Sequence, residues 1–186
     1  MIDKKKLIYF GQLIKKHSEL YPSLPLKAEQ FESLFGRVVQ GQWNPNNHNT
    51  SEDMLTEVAG MKKPSLKSGT IKNGVLTISS HRTTKYKTLE DKIEFLESRT
   101  YDSYVCLSRP DGDKPHKYYL IHFDKKIINY RSLDWSNTYN KKGDHSGWVG
   151  VDKGIKVNIV KSMSDQVWIN LDMDKVNVLS EYDFTK

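Results

Sequence analysis

Hydrophobic positions recur at two different periods along the chain, and the period changes near residue 60. Before that point the spacing is helical. Over residues 3–20, Leu7, Phe10, Leu13 and Ile14 share one face, with Asp3 placed as an N-cap and Pro22 and Pro25 stopping the run. Over 26–41, Phe31, Leu34, Phe35 and Val38 recur at i, i+3, i+4 and i+7, and Glu32 lies at the edge of their stripe. An Asn-rich loop occupies 43–50. Thr50–Ser51 with Asp53 then reads as a capping box, which predicts a short helix through Val58 that Gly60 ends.

Beyond it the pattern alternates. Residues 64–71 and 75–80 predict two strands joined at Asn73-Gly74, a strong hairpin signal. Thr88 and Asp91 make a second capping box for a helix over 88–99 whose face is Leu89, Ile93 and Leu96. Strands are expected at 103–108 and 118–123, around the turn DGDKPHK, and again at 155–161 and 166–171. The rest reads as aromatic-rich irregular chain. This order predicts an α/β domain in which the helix at 88–99 crosses over from a hairpin strand to a strand that can run parallel to it. A single domain over 1–186 is expected, with helices in 1–42 available as a partner-docking extension.

Composition narrows the class. With 37% apolar and 28% charged residues, the chain is expected to be globular. No apolar run reaches the length of a membrane span, and the N-terminus reads as an amphipathic helix, not a signal peptide. The single cysteine, Cys106, sits in the apolar run YVCLS and reads as core; together these features point to the cytoplasm.

Charge is uneven. The net charge is +6, yet residues 58–89 carry Lys62, Lys63, Lys67, Lys72, Arg82, Lys85 and Lys87 with no acid among them. A polyanion has one obvious place to approach. Glycine-rich phosphate loops, paired CxxC motifs, HExxH and GxSxG are absent. Of the six histidines, His17 and His48 read as surface residues, and His116, His122 and His145 have no clustered partner.

What remains is the hairpin with the acids before it. Pairing across Asn73-Gly74 sets Ser65 opposite Arg82 and Lys67 opposite Ser80, so one face carries all four. Cations and hydroxyls converging near a carboxylate suit a phosphodiester: the acid holds Mg²⁺, and Lys or Arg offsets charge on the phosphate oxygens.

Helix, hairpin and crossover helix resemble the nuclease core of restriction endonucleases, marked by PD…(D/E)xK. KKPS (62–65) stands where Pro-Asp is expected and ISSHR (78–82) where the acid-x-Lys strand ends. Ser65 and Ser79 or Ser80 replace the acids, and His81 or Arg82 replaces the lysine. SLKSG…TISSHRTTKYKTLEDKIEFL and the later SMSDQVWINL (162–171) are similar to the small cleavage subunit of a heterodimeric type IIS restriction endonuclease.

The resemblance implies a Mg²⁺-dependent subunit that cuts one strand of double-stranded DNA near a site read by a larger nicking subunit. Its core would be a mixed sheet flanked by helices. Glu57 and His81 would bind metal, with Asp53 or Glu32 as other carboxylates, and His81 could instead act as general base. Ser65, Lys67 and Ser80 would handle the phosphate; Lys62, Lys63, Lys72, Arg82, Lys85 and Lys87 would hold DNA. No base-reading module is evident, consistent with recognition by a partner. A non-catalytic nucleic-acid-binding module and a stand-alone homodimeric endonuclease are the alternative readings.

Overall fold

The structure, a computed structural model, describes residues 2–26, 29–45, 53–110 and 116–185. Two helices come first, α1 (Lys4–Leu20) and α2 (Glu29–Val39). Asp3 caps α1 by accepting the Lys5 amide, and Phe10, Gly11, Ile14 and Ser18 form its buried stripe. The predicted helix through Val58 does not form over 53–58. Met54 bridges Trp43 and Val58 bridges Met61 instead, while Thr50 and Ser51 lie outside the described residues. Buried Met54 makes this segment a clip against the end of α2, where packing overrides the capping pattern.

The hairpin is β1 (Ser65–Lys72) and β2 (Val75–Arg82). Asn73 and Gly74 both take positive φ, 50° and 75°, as the two-residue turn requires. Helix α3 (Leu89–Glu97) follows with the expected Thr88–Asp91 capping box. Then come β3 (Ser103–Pro110), β4 (Lys117–Asp124), β5 (Asp134–Tyr139), β6 (His145–Asp152), β7 (Ile155–Val160), β8 (Gln166–Asp172) and β9 (Asn177–Asp183). Strands β5, β6 and β9 correct the reading of those stretches as irregular.

All nine described strands form one sheet in the order β5-β6-β7-β8-β2-β1-β3-β4-β9. Strand β3 is parallel to β1, and the other neighbouring pairs are antiparallel. The chain is therefore mixed α/β, as expected, although α3 leads from β2 to a strand parallel to β1, the other half of the hairpin. Each sheet face has its own core. Leu66, Val105, Leu107, Tyr118 and Leu120 pack under α1 and α2; Leu76, Ile78, Tyr104, Cys106, Ile121 and Phe123 pack with Ile93 and Leu96 of α3. Cys106 is buried, and burial pushes its thiol up to about 12, so it is core. No helix among the described residues is long and apolar enough to cross a membrane.

Candidate active site

The start of β1, the ends of β2 and β4, and the start of β3 meet at one end of the sheet, opposite the Asn73-Gly74 turn. The β1–β2 ladder covers only Gly69–Lys72 with Val75–Ile78. Its register is the expected one, but Lys67 and Ser80, like Ser65 and Arg82, lie beyond its end. There β1 stays paired with β3, and β2 continues against β8.

Asp53 fills this region. The clip holding it is tied to α2's exit by Asn44 N–H to Asp53 O (3.0 Å) and Leu55 N–H to Gln42 O (2.8 Å). Its Oδ2 accepts from Ser65 Oγ (3.0 Å), Leu66 N–H (2.7 Å) and Lys67 Nζ (2.8 Å). Burial works against the Lys67 charge, but the Asp53 carboxylate, aided by Glu32 and Tyr104, holds its pKa above the ordinary lysine value. Lys67 is therefore an ammonium, with three N–H groups of which Asp53 takes one among the described residues. Glu32, buried on α2, has Oε2 3.5 Å from Trp43 Nε1.

A second group adjoins this pair through Tyr104, which is in register with Ser65. Tyr104 hydroxyl lies 3.3 Å from Ser80 Oγ and 2.6 Å from Tyr101 hydroxyl, and Tyr101 hydroxyl lies 2.9 Å from His81 Nε2. Consecutive residues of a regular strand point to opposite faces. A bulge between Ser79 and Arg82 breaks that alternation, so both Ser80 and His81 reach the tyrosine pair. Gln166 amide donates to the carbonyls of Ser80 (3.0 Å) and His81 (3.1 Å), bracing the bulge.

His81 stacks on Tyr101 and meets Phe95 edge-on. Burial, then the positive charges of Lys67 and Arg99, lower its pKa to about 3. It is neutral near pH 7. Its Nε2 is engaged with Tyr101.

Glu57 stands exposed on the loop between Met54 and Val58, and no described contact joins it to Lys67 or His81. Asp53, expected both as a helix-capping residue and as one of the alternative carboxylates, is the acid that meets Lys67. Among the described residues, no three His, Cys, Asp or Glu side chains cluster to hold a metal ion. Asp53 and Glu32 supply hard carboxylate oxygens beside Lys67. That donor chemistry suits Mg²⁺, which commonly takes one or two carboxylates and completes its shell with water and phosphate.

The expected DNA-contacting cations divide in two. Lys62 and Lys63 precede β1, while Arg82, Lys85 and Lys87 end or follow β2, all at the Asp53 end. Lys72 sits at the hairpin turn, five residues and roughly 16 Å along the strand from Lys67. Sequence reasoning missed Tyr101, Tyr104, Arg99 and Lys125; the pair in YDSY (101–104) was the one visible sign. Among the other histidines, His17 is half-buried, with its pKa lowered by burial, and His145 lies 3.0 Å from Lys161 Nζ and edge-on to Trp148. His48 lies outside the described residues.

Comparison of the chain with protein-family models, with curated proteins and with solved structures finds no match in any of the three.

Proposed function

We propose that this chain is a Mg²⁺-dependent DNA endonuclease subunit that hydrolyses one strand of a duplex and works with a larger subunit that reads the site. The observation that carries the reading is the Lys67 ammonium, tied to Asp53 by one hydrogen bond at 2.8 Å while two of its N–H groups stay uncommitted among the described residues. A buried cation with spare donors beside two carboxylates suits a phosphodiester better than it suits packing alone.

On this reading the acid-x-Lys position moves from ISSHR (78–82) to β1, as Ser65-Leu66-Lys67 with Ser65 in the acid's place, Asp53 ahead of it and Glu32 on the preceding helix. Asp53 and Glu32 would hold Mg²⁺, which when bound supplies Lewis acidity and a more acidic water. Ser65 hydroxyl and Leu66 N–H orient the Asp53 carboxylate. Lys67 donates to a non-bridging phosphate oxygen as its charge grows. Water adds to phosphorus and the P–O3′ bond breaks, leaving a 5′-phosphate and a 3′-hydroxyl. Lys62, Lys63, Arg82, Lys85 and Lys87 supply backbone contacts that carry no base information.

The test uses supercoiled and pre-nicked duplex DNA with Mg²⁺. The nicked form stands in for a strand already cut by the larger subunit. Cleavage is expected to need Mg²⁺, to fall roughly 10²–10³-fold in Lys67→Ala and Asp53→Asn, and to persist in Glu57→Ala. Mn²⁺ binding followed by electron paramagnetic resonance is expected to weaken in Asp53→Asn. DNA binding with no Mg²⁺-dependent cleavage of either substrate would favour the non-catalytic module.

A further inference from the structure

Just beyond the C-terminal end of α3, Arg99 lies over the Phe95 ring, 4.3 Å from its centroid. Its Nε is shut off from solvent and has no hydrogen-bond partner among the described residues. Leaving a buried donor unsatisfied costs about 1–3 kcal/mol, so such a group calls for an explanation, and an anion seated against the guanidinium supplies one. Lys125 Nζ stands next to it, donating to the carbonyls of Glu97 (2.8 Å) and Arg99 (2.7 Å) and lying 5.3 Å from the Tyr101 ring centroid. Two of its three N–H groups are thus used. Phe95 and Tyr101, which carry the two cations, are also the rings that flank His81.

From this geometry we infer that Arg99 and Lys125 form a subsite for one phosphate group of a nucleic-acid strand. A guanidinium with an orphaned N–H and an ammonium with a spare one match a tetrahedral oxyanion, and Arg pairs with phosphate through charge-assisted hydrogen bonds. The two cations also disfavour each other. Lys125 lies below the usual lysine value, through burial first, with Glu97 opposing and Arg99 adding to the shift. An anion between them would relieve that repulsion. Lys62, Lys63, Arg82, Lys85 and Lys87 gather at the same end of the sheet, so the phosphate is best explained as one of a chain. Tyr101 and Tyr104 link the subsite to Lys67, so it holds a phosphate neighbouring the scissile one. This position rests on the nuclease reading; phosphate binding itself does not.

The test measures duplex-DNA affinity against salt with EDTA present, so that no cleavage is needed. For Arg99→Gln, which keeps a long stem over Phe95, the slope of log K against log[salt] should shrink by about 0.9, the loss of one phosphate contact. Arg99→Lys should restore most of it, with unchanged thermal melting showing that both variants are folded. In parallel, inorganic phosphate should shift the His81 imidazole resonances of the wild type and not those of Arg99→Gln. An unchanged slope in folded Arg99→Gln, with no wild-type response to inorganic phosphate, overturns the subsite, even if the wild type cleaves DNA. A response to inorganic phosphate with an unchanged DNA slope overturns the assignment to a strand in favour of a free phosphate. A reduced slope in a chain that never cleaves supports the subsite and removes the nuclease reading.

Discussion

Lys92 and Lys67 are both largely buried, each bound to one aspartate oxygen at 2.8 Å, and they do opposite things with the rest of their charge. Lys92 on α3, its side chain 1% exposed, donates to Asp165 Oδ2, Thr83 O and Tyr86 O. It also lies 5.4 Å from the Trp148 ring centroid. Three donors meet three acceptors, so the ammonium is saturated and ties α3 to the turn after β2 and to the approach to β8. Lys67, its side chain 15% exposed, spends one donor on Asp53, which Ser65 and Leu66 share. The comparison teaches that burial and pairing do not by themselves distinguish a structural lysine from a functional one. On the proposed nuclease reading, the number of uncommitted donors does.

The largest expected effect tests that contrast through stability. Lys92→Met should cost about 3–5 kcal/mol in urea unfolding, because Asp165 is left without its buried partner. Lys67→Met should cost about 1 kcal/mol, since Asp53 keeps the Ser65 and Leu66 donors. Equal losses would break the distinction.

A change of pH sharpens it next. His81 has its pKa held near 3 in the folded protein against the ordinary histidine value of 6.5, so between those values the unfolded chain binds a proton that the folded one refuses. Stability should therefore fall as pH drops below 6.5, by about 2 kcal/mol at pH 5 from this residue. His81→Gln should flatten that part of the profile. Lys67 has the opposite sign. Its raised pKa gives stability that is present below the ordinary lysine value and is lost as pH rises through the higher folded one.

The smallest effect concerns the bulge. Gln166→Ala should cost about 1 kcal/mol in thermal or urea unfolding, the worth of a typical hydrogen bond. It should also lower DNA cleavage more than Glu57→Ala does, because His81 and Ser80 lose their brace. Equal cleavage by the two variants would separate the bulge from the site.

Much of the inner fold was legible because each element carries a local rule. Asp3, the Thr88–Asp91 box and Asn73-Gly74 act on their own neighbours, so helix starts and a turn can be read without the rest of the molecule. The strands that were not legible lack such a rule. Strands β5 and β9 are the sheet's edges, with mostly polar or exposed positions, and β6 is interrupted by Gly147 and Gly150. Gly150 has its reason only in three dimensions, because a Cβ there would stand 2.8 Å from the Trp135 ring of β5.

The site divides the same way. Sequence alone determined the basic run over 58–89, the hairpin register and the presence of Ser65, Lys67, Ser80 and His81 on neighbouring strands. Only the tertiary structure decided which acid meets Lys67, because Asp53 and Glu57 are four residues apart and differ in burial, not in chemistry. It also turned His81 toward the tyrosines through a bulge that no periodicity predicts, and it brought Arg99 and Lys125 together from the ends of different elements. Local backbone preferences act over a few residues and are written in sequence. The neutrality of His81 and the spare donors of Lys67 depend on distances between groups far apart in the chain, and those exist only once the sheet has closed over its two cores.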